Sequence, residues 1–169
     1  ASFFVSRIDT KIDNQLPDDS PLRGRIAIAN AKLAYQLCRR QHATERWARL
    51  QAHGAQTQRP LWASTGTKNA AYSDVLYVEE LIGPDTVNTM PDKTLRAFAD
   101  HGRVAPQIES RLGDAERSLA ALADLGVDLD AVTTELEQEG VASFCDSYHS
   151  LLACIAERTE HIDSSPGTG

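Results

Sequence analysis

At 169 residues, 41% of them hydrophobic, the chain has the size of one domain and enough apolar bulk to bury a core. Lysine and arginine total 17 against 24 aspartates and glutamates, and the resulting net charge of -7 argues against a nucleic-acid surface and against a patch for anionic membrane. Cys38, Cys145 and Cys154 form no CxxC pair and lie in helical patterns, so neither a disulfide framework nor a zinc site is expected and a cytoplasmic setting fits. No apolar run approaches the roughly 18–20 residues of a membrane span, and the amino end shows no pattern of an export signal.

The chain opens inside an element. Ala1–Ile8, ASFFVSRI, has the aromatic and β-branched content of a buried strand, with Arg7 and Asp9 putting charge at its carboxyl end. A strand at the first residue, with no lead-in, is expected of a piece of a longer domain. Lys11–Asp19 reads as a polar connection, and Ser20-Pro21 as an N-cap followed by proline at the first helical position. The spacing of Ile26, Ala29, Leu33, Leu37, Trp47 and Leu50 predicts one long helix over Pro21–His53, closed by Gly54.

Leu61–Ser64 is a second strand and Asp85–Met90 a third, with a short helix over Asp74–Ile82 stopped by Gly83-Pro84. Asp92–His101 is helical up to Gly102. Strands alternating with helices predict an α/β fold with a parallel sheet, since each crossover returns the chain to the same end. Arg111–Leu125 and Asp128–Arg158 are helical by apolar spacing, with a break at Gly126 and a weak point at Gly140, and are expected to cover the rest of the fold. Asp163–Gly169 consists of small and polar residues, so a folded portion over 1–162 and a disordered tail over 163–169 are expected.

The turn after the second strand carries the chemistry. Ser64, Thr65, Gly66, Thr67, Lys68 and Asn69 crowd hydroxyls, a flexible point and one cation into six positions, which suits an anion. Lys68 as a Schiff-base lysine is disfavoured, because a nucleophilic amine needs a desolvated pocket and this loop is polar. A P-loop is disfavoured as well: Thr67 separates the glycine from the lysine, and Leu61 stands where the first glycine belongs. Arg7 has Asp9 as an alternative ion-pair partner. The scattered histidines read as surface groups, Glu79 and Glu80 as a solvated helix face, Trp62 as core. Phe3 and Phe4 must point to opposite faces of their strand.

Three passages together resemble the carboxyl-terminal part of a transaldolase of the longer, actinobacterial type: SFFVSRIDTKID at Ser2–Asp13, LWASTGTKNAAYSDVLYVEELIGPDTVNTMP at Leu61–Pro91, and EGVASFCDSYHSLL at Glu139–Leu152. The resemblance implies a (β/α)8 TIM barrel of which these strands are the sixth, seventh and eighth, followed by terminal helices. It implies transfer of a dihydroxyacetone unit between sugar phosphates (sedoheptulose 7-phosphate, fructose 6-phosphate, glyceraldehyde 3-phosphate, erythrose 4-phosphate) in the pentose phosphate pathway. No metal or organic cofactor is implied. In the family a lysine on the fourth strand forms the Schiff base, whose protonated imine draws electrons from the bond being cleaved, and carboxylates on the first and third strands move protons. Those residues are expected upstream of residue 1, so the chain alone is expected to be inactive. The resemblance assigns the substrate phosphate to Arg7, Ser64 and Lys68, and the substrate pocket to Ser2 and Phe4. Close relatives have proline where this chain has Ala70.

An exposed three-stranded edge is an association hazard, so pairing with the missing amino-terminal part or self-association is expected. The competing readings are a non-catalytic α/β module that binds a sugar phosphate and a helical interaction protein that works through its long helices.

Overall fold

A computed structural model describes residues 2–163, with side chains described for residues 2–159. In chain order the elements are β1 (Ser2–Phe4), α1 (Ser6–Asp13), α2 (Ile26–His42), α3 (Glu45–Ala52), β2 (Leu61–Ala63), α4 (Leu76–Glu80), β3 (Val87–Asn88), α5 (Asp92–His101), α6 (Leu112–Asp124) and α7 (Leu129–Asp163). The chain divides into two compact units, Ala1–Leu129 and Asp130–Gly169.

In the first unit the three strands form one parallel sheet in the order β1-β2-β3, with Phe3 opposite Trp62 and Trp62 opposite Asn88. The expected α/β architecture is therefore present, on short strands. Alternation sends Phe3 and Trp62 to one face, where their rings meet edge-on with centroids 5.7 Å apart. Phe4, Leu61, Ala63 and Val87 take the other face and are half-buried or exposed.

The first strand is shorter than its composition suggests. It ends at Phe4, and Ser6–Asp13 is helical, which moves Arg7 from a strand end to the first turn of α1 and takes in the first three residues, Lys11–Asp13, of the expected polar connection. The reason lies in the spacing of Val5, Ile8, Ile12 and Leu16, all buried, which follows a helical period and outweighs the strand propensity of the aromatics before it. α1 packs against α2, whose Ile26, Ala27, Ala29 and Ala31 are buried, and α6 packs against α2 as well.

The long helix expected over Pro21–His53 is three pieces. Turns occupy residues 21–25, α2 ends at His42, and α3 starts anew behind Thr44, whose hydroxyl accepts the Trp47 N–H at 3.2 Å and caps it. Gly54 follows with φ +90, the left-handed stop expected of it. The helix over Asp92–His101 lies where the sequence predicts it.

In the second unit α7 is a single helix of 35 residues that passes through Gly140 unbroken. Val141, Phe144, Tyr148, Leu151, Leu152 and Ile155 on it are exposed. It takes in Asp163, the first residue of the expected disordered tail; the rest of that tail, 164–169, lies outside the described residues.

Candidate functional site

The carboxyl ends of the three strands are tied to one another by hydrogen bonds that extend the sheet. The Val5 N–H donates to the Ala63 carbonyl at 2.9 Å and the Ser6 N–H to the Ser64 carbonyl at 3.0 Å, so β1 turns into α1 directly beside the last residue of the second strand's run. On the other side Thr65, fully buried, donates its hydroxyl to Asn88 Oδ1 at 2.7 Å, with the Thr89 carbonyl 3.1 Å away. Ser64 between them has φ 55, a left-handed conformation that a residue with a Cβ adopts at a cost of about 1–2 kcal/mol.

Ser2 and Phe4 lie two apart on one face of β1, both exposed. The Arg7 guanidinium lies over the Phe4 ring, 5.3 Å from its centroid. Lys68 is exposed and lines a cavity of about 180 Å³ along the flank of α1, shared with Ser6, Thr10 and Asn69, with Arg23, and with the acidic Asp9 and Asp13. Arg7, one position on from Ser6, does not line that cavity. The expected residues therefore fall into two neighbouring groups: Ser2, Phe4 and Arg7 on the open side of β1, and Lys68 beside α1. Ser64 is linked to both through its bond to Ser6, which precedes Arg7 in the chain and lines the cavity that Lys68 lines.

The alternative ion pair of Arg7 with Asp9 is not formed, because Asp9 turns inward. It is 1% exposed, and its two oxygens accept from the Ala27 N–H at 2.7 Å and the Tyr77 hydroxyl at 2.8 Å. Burial pushes its carboxyl up from 3.8 to about 6, against the lowering effect of those two donors. Asp13 accepts from the Gly24 N–H at 3.1 Å and from the Tyr72 hydroxyl at 2.6 Å. Burial and then Asp13 push Tyr72 up to about 12; burial and the Asp9 charge raise Tyr77 as well. Both phenols are thus kept as neutral donors, and the two carboxylates are committed to fixing α2 and its preceding turn.

Glu80 is also more than a solvated helix residue. It accepts from Lys32 Nζ at 2.8 Å and from Arg111 Nη2 at 2.8 Å, and Lys32 is buried. Burial alone raises the Glu80 carboxyl, and the two cations outweigh it, leaving a net lowering.

Sequence reasoning passed over Ser6. It is 2% exposed, its Oγ finds no partner among the described residues, and it lines the cavity that Lys68 lines. The signal available was a hydroxyl beside the arginine in VSR; reading that stretch as strand hid it.

The family profile described as transaldolase/fructose-6-phosphate aldolase matches residues 1–155. The chain belongs to this family. It is 51% identical over 164 residues to a transaldolase of Frankia alni, covering 94% of this chain and 44% of that protein. A transaldolase of Parafrankia is 52% identical over 164 residues, again 94% of this chain and 44% of the relative. One of Acidothermus cellulolyticus is 47% identical over 172 residues, 99% of this chain and 46% of the relative. The chain thus spans less than half the length of these transaldolases, and the strand ends described above fall within the matched region. Among the described residues no group of three or more histidines, cysteines, aspartates or glutamates is placed to hold a metal ion, and no helix is long and apolar enough to cross a membrane.

Proposed function

We propose that this chain supplies the phosphate-receiving part of a transaldolase site, in a protein that transfers a dihydroxyacetone unit between the sugar phosphates of the pentose phosphate pathway in the cytoplasm. In this reading β1, β2 and β3 are the sixth to eighth strands of a (β/α)8 barrel. The Schiff-base lysine belongs to a segment outside these 169 residues, and the chain by itself is inactive. The open edges of β1 and β3 are where the remaining strands pair, or where two copies associate in their absence.

The observation that carries the reading is the hydrogen bond from the Ser6 N–H to the Ser64 carbonyl at the carboxyl end of a parallel sheet. Barrel enzymes hold phosphate at the loops after their last strands, where hydroxyls and backbone N–H groups reach its oxygens. Arg7 offers a planar fork that binds two phosphate oxygens at once, Lys68 a point charge, and Ser64 and the unpartnered Ser6 hydroxyl two donors. One cation leaves half of a dianion's charge unpaired; two nearly balance it.

Titration of the chain with fructose 6-phosphate tests the clamp. Binding that falls by an order of magnitude or more in the double variant Arg7→Ala, Lys68→Ala supports it, and undiminished binding removes the assignment. Borohydride trapping with the same sugar tests the rest. A covalent adduct in the full-length protein that is absent in this chain is expected, whereas phosphate binding with no adduct in either leaves a non-catalytic sugar-phosphate module.

A further inference from the structure

At the amino end of the strands, opposite Ser64, Cys38 and His42 lie one turn apart on α2 with the thiol sulfur 3.7 Å from the imidazole Nδ1. His42 rests against the Trp47 ring, centroids 4.8 Å apart, and Trp47 is fixed by the capped start of α3. Cys38 and His42 both line two cavities, one of about 200 Å³ that Phe3 and Trp62 also line, and one of about 450 Å³. Trp62 brings a second feature. It is 1% exposed, and its indole N–H has no acceptor among the described residues. Buried donors are nearly always paired, and this orphaned one belongs to a residue that lines the smaller cavity.

We infer that Cys38 is a reactive thiol, with His42 as its proton acceptor, and that the smaller cavity is a modification site for small neutral soft electrophiles. The thiol proton passes to Nδ1, in the tautomer that leaves this nitrogen bare. The sulfur electron pair forms the new bond to the electrophilic carbon, and the leaving group departs with its bonding electrons. With iodoacetamide the bond formed is S–C, the bond broken is C–I, and iodide leaves. Neither oxidant nor reductant is consumed.

The chain holds its own reference, since Cys145 and Cys154 are exposed on α7 while Cys38 is partly covered. Treated with substoichiometric iodoacetamide and mapped by peptide mass analysis, Cys38 is expected to alkylate about tenfold faster than either reference thiol, despite its lower exposure. His42→Phe, which keeps a ring against Trp47 but offers no base, and His42→Gln are both expected to bring Cys38 to or below the rate of the reference thiols and to leave those thiols unchanged. A parent Cys38 slower than Cys145 and Cys154 overturns the inference. So do histidine variants whose Cys38 rate is unaltered, or in which all three thiols change together.

Discussion

The Asp9 carboxylate joins α1 to α4 through the Tyr77 hydroxyl, 2.8 Å away, and to the first turn of α2 through the Ala27 N–H, 2.7 Å away. One side chain thus fixes the start of α2 against the helix that carries Arg7, and it does so fully buried.

Burial makes that arrangement pH-dependent. A carboxyl raised from 3.8 to about 6 is easier to protonate in the folded chain than in the unfolded one. Its contribution is therefore fully present below pH 3.8 and is lost as the pH rises through about 6. The span corresponds to roughly 3 kcal/mol. Asp9→Asn is uncharged throughout, and its amide can still accept from Ala27 and donate to the Tyr77 oxygen. Denaturant melts of the parent between pH 4 and 7 are expected to show this falling component and those of Asp9→Asn to lack it; parallel curves for the two proteins refute the assignment.

Lys32 and Glu80 form an ion pair at 2.8 Å whose lysine is almost wholly buried, whereas Arg111, on the other oxygen of Glu80, is largely exposed. The two contacts should differ sharply in weight. Glu80→Ala leaves a buried ammonium with, among the described residues, only the Ser110 carbonyl, 3.4 Å away, and is expected to cost about 3–5 kcal/mol. Arg111→Ala is expected to cost under about 1 kcal/mol. Equal losses in urea melts contradict the assignment of burial to Lys32 alone.

Much of the fold was legible, and what was not has a common cause. β2, β3 and α5 were readable because Gly and Pro punctuate them, at Pro60, Gly83-Pro84, Pro91 and Gly102. α1 was misread because Phe3, Phe4 and Val5 carry strand propensity up to the point where Ile8 and Ile12 begin a helical period, and only the packing of α1 against α2 decides between them. The site residues were legible as types. Their grouping was not, since Arg7 over Phe4 and Lys68 beside Ser6 depend on which flank of α1 each side chain takes. Nothing local in the sequence gives Asp9 and Glu80 their buried partners 68 and 48 residues away in the chain.

Gly24 is required twice over. It has φ +69, and a Cβ there meets the Tyr72 ring at 2.8 Å, the ring whose hydroxyl binds Asp13. Gly54 has φ +90 with open space around it. Alanine at Gly54 therefore pays only for the left-handed backbone, about 1 kcal/mol, while Gly24→Ala adds the clash and is expected to lose about 2–4 kcal/mol. Thermal melts of the two variants separate the terms; a Gly24→Ala protein as stable as Gly54→Ala shows that the Tyr72 ring yields freely.

Ser64 separates stability from binding. Its φ of 55 carries a backbone cost that glycine does not bear, so Ser64→Gly is expected to leave stability within about 1 kcal/mol of the parent or to raise it slightly, once glycine's greater freedom in the unfolded chain is subtracted. Ser64→Ala keeps the strained backbone and the Cβ and loses only the hydroxyl. On the proposed clamp both variants weaken phosphate binding to a similar degree, because they lack the same donor, while their melting temperatures differ with glycine at or above alanine. Calorimetric titration with inorganic phosphate alongside thermal melts gives both readings from one preparation. If both variants bind phosphate as well as the parent, the Ser64 hydroxyl is not a ligand and the left-handed turn serves only to bring β2 alongside Ser6.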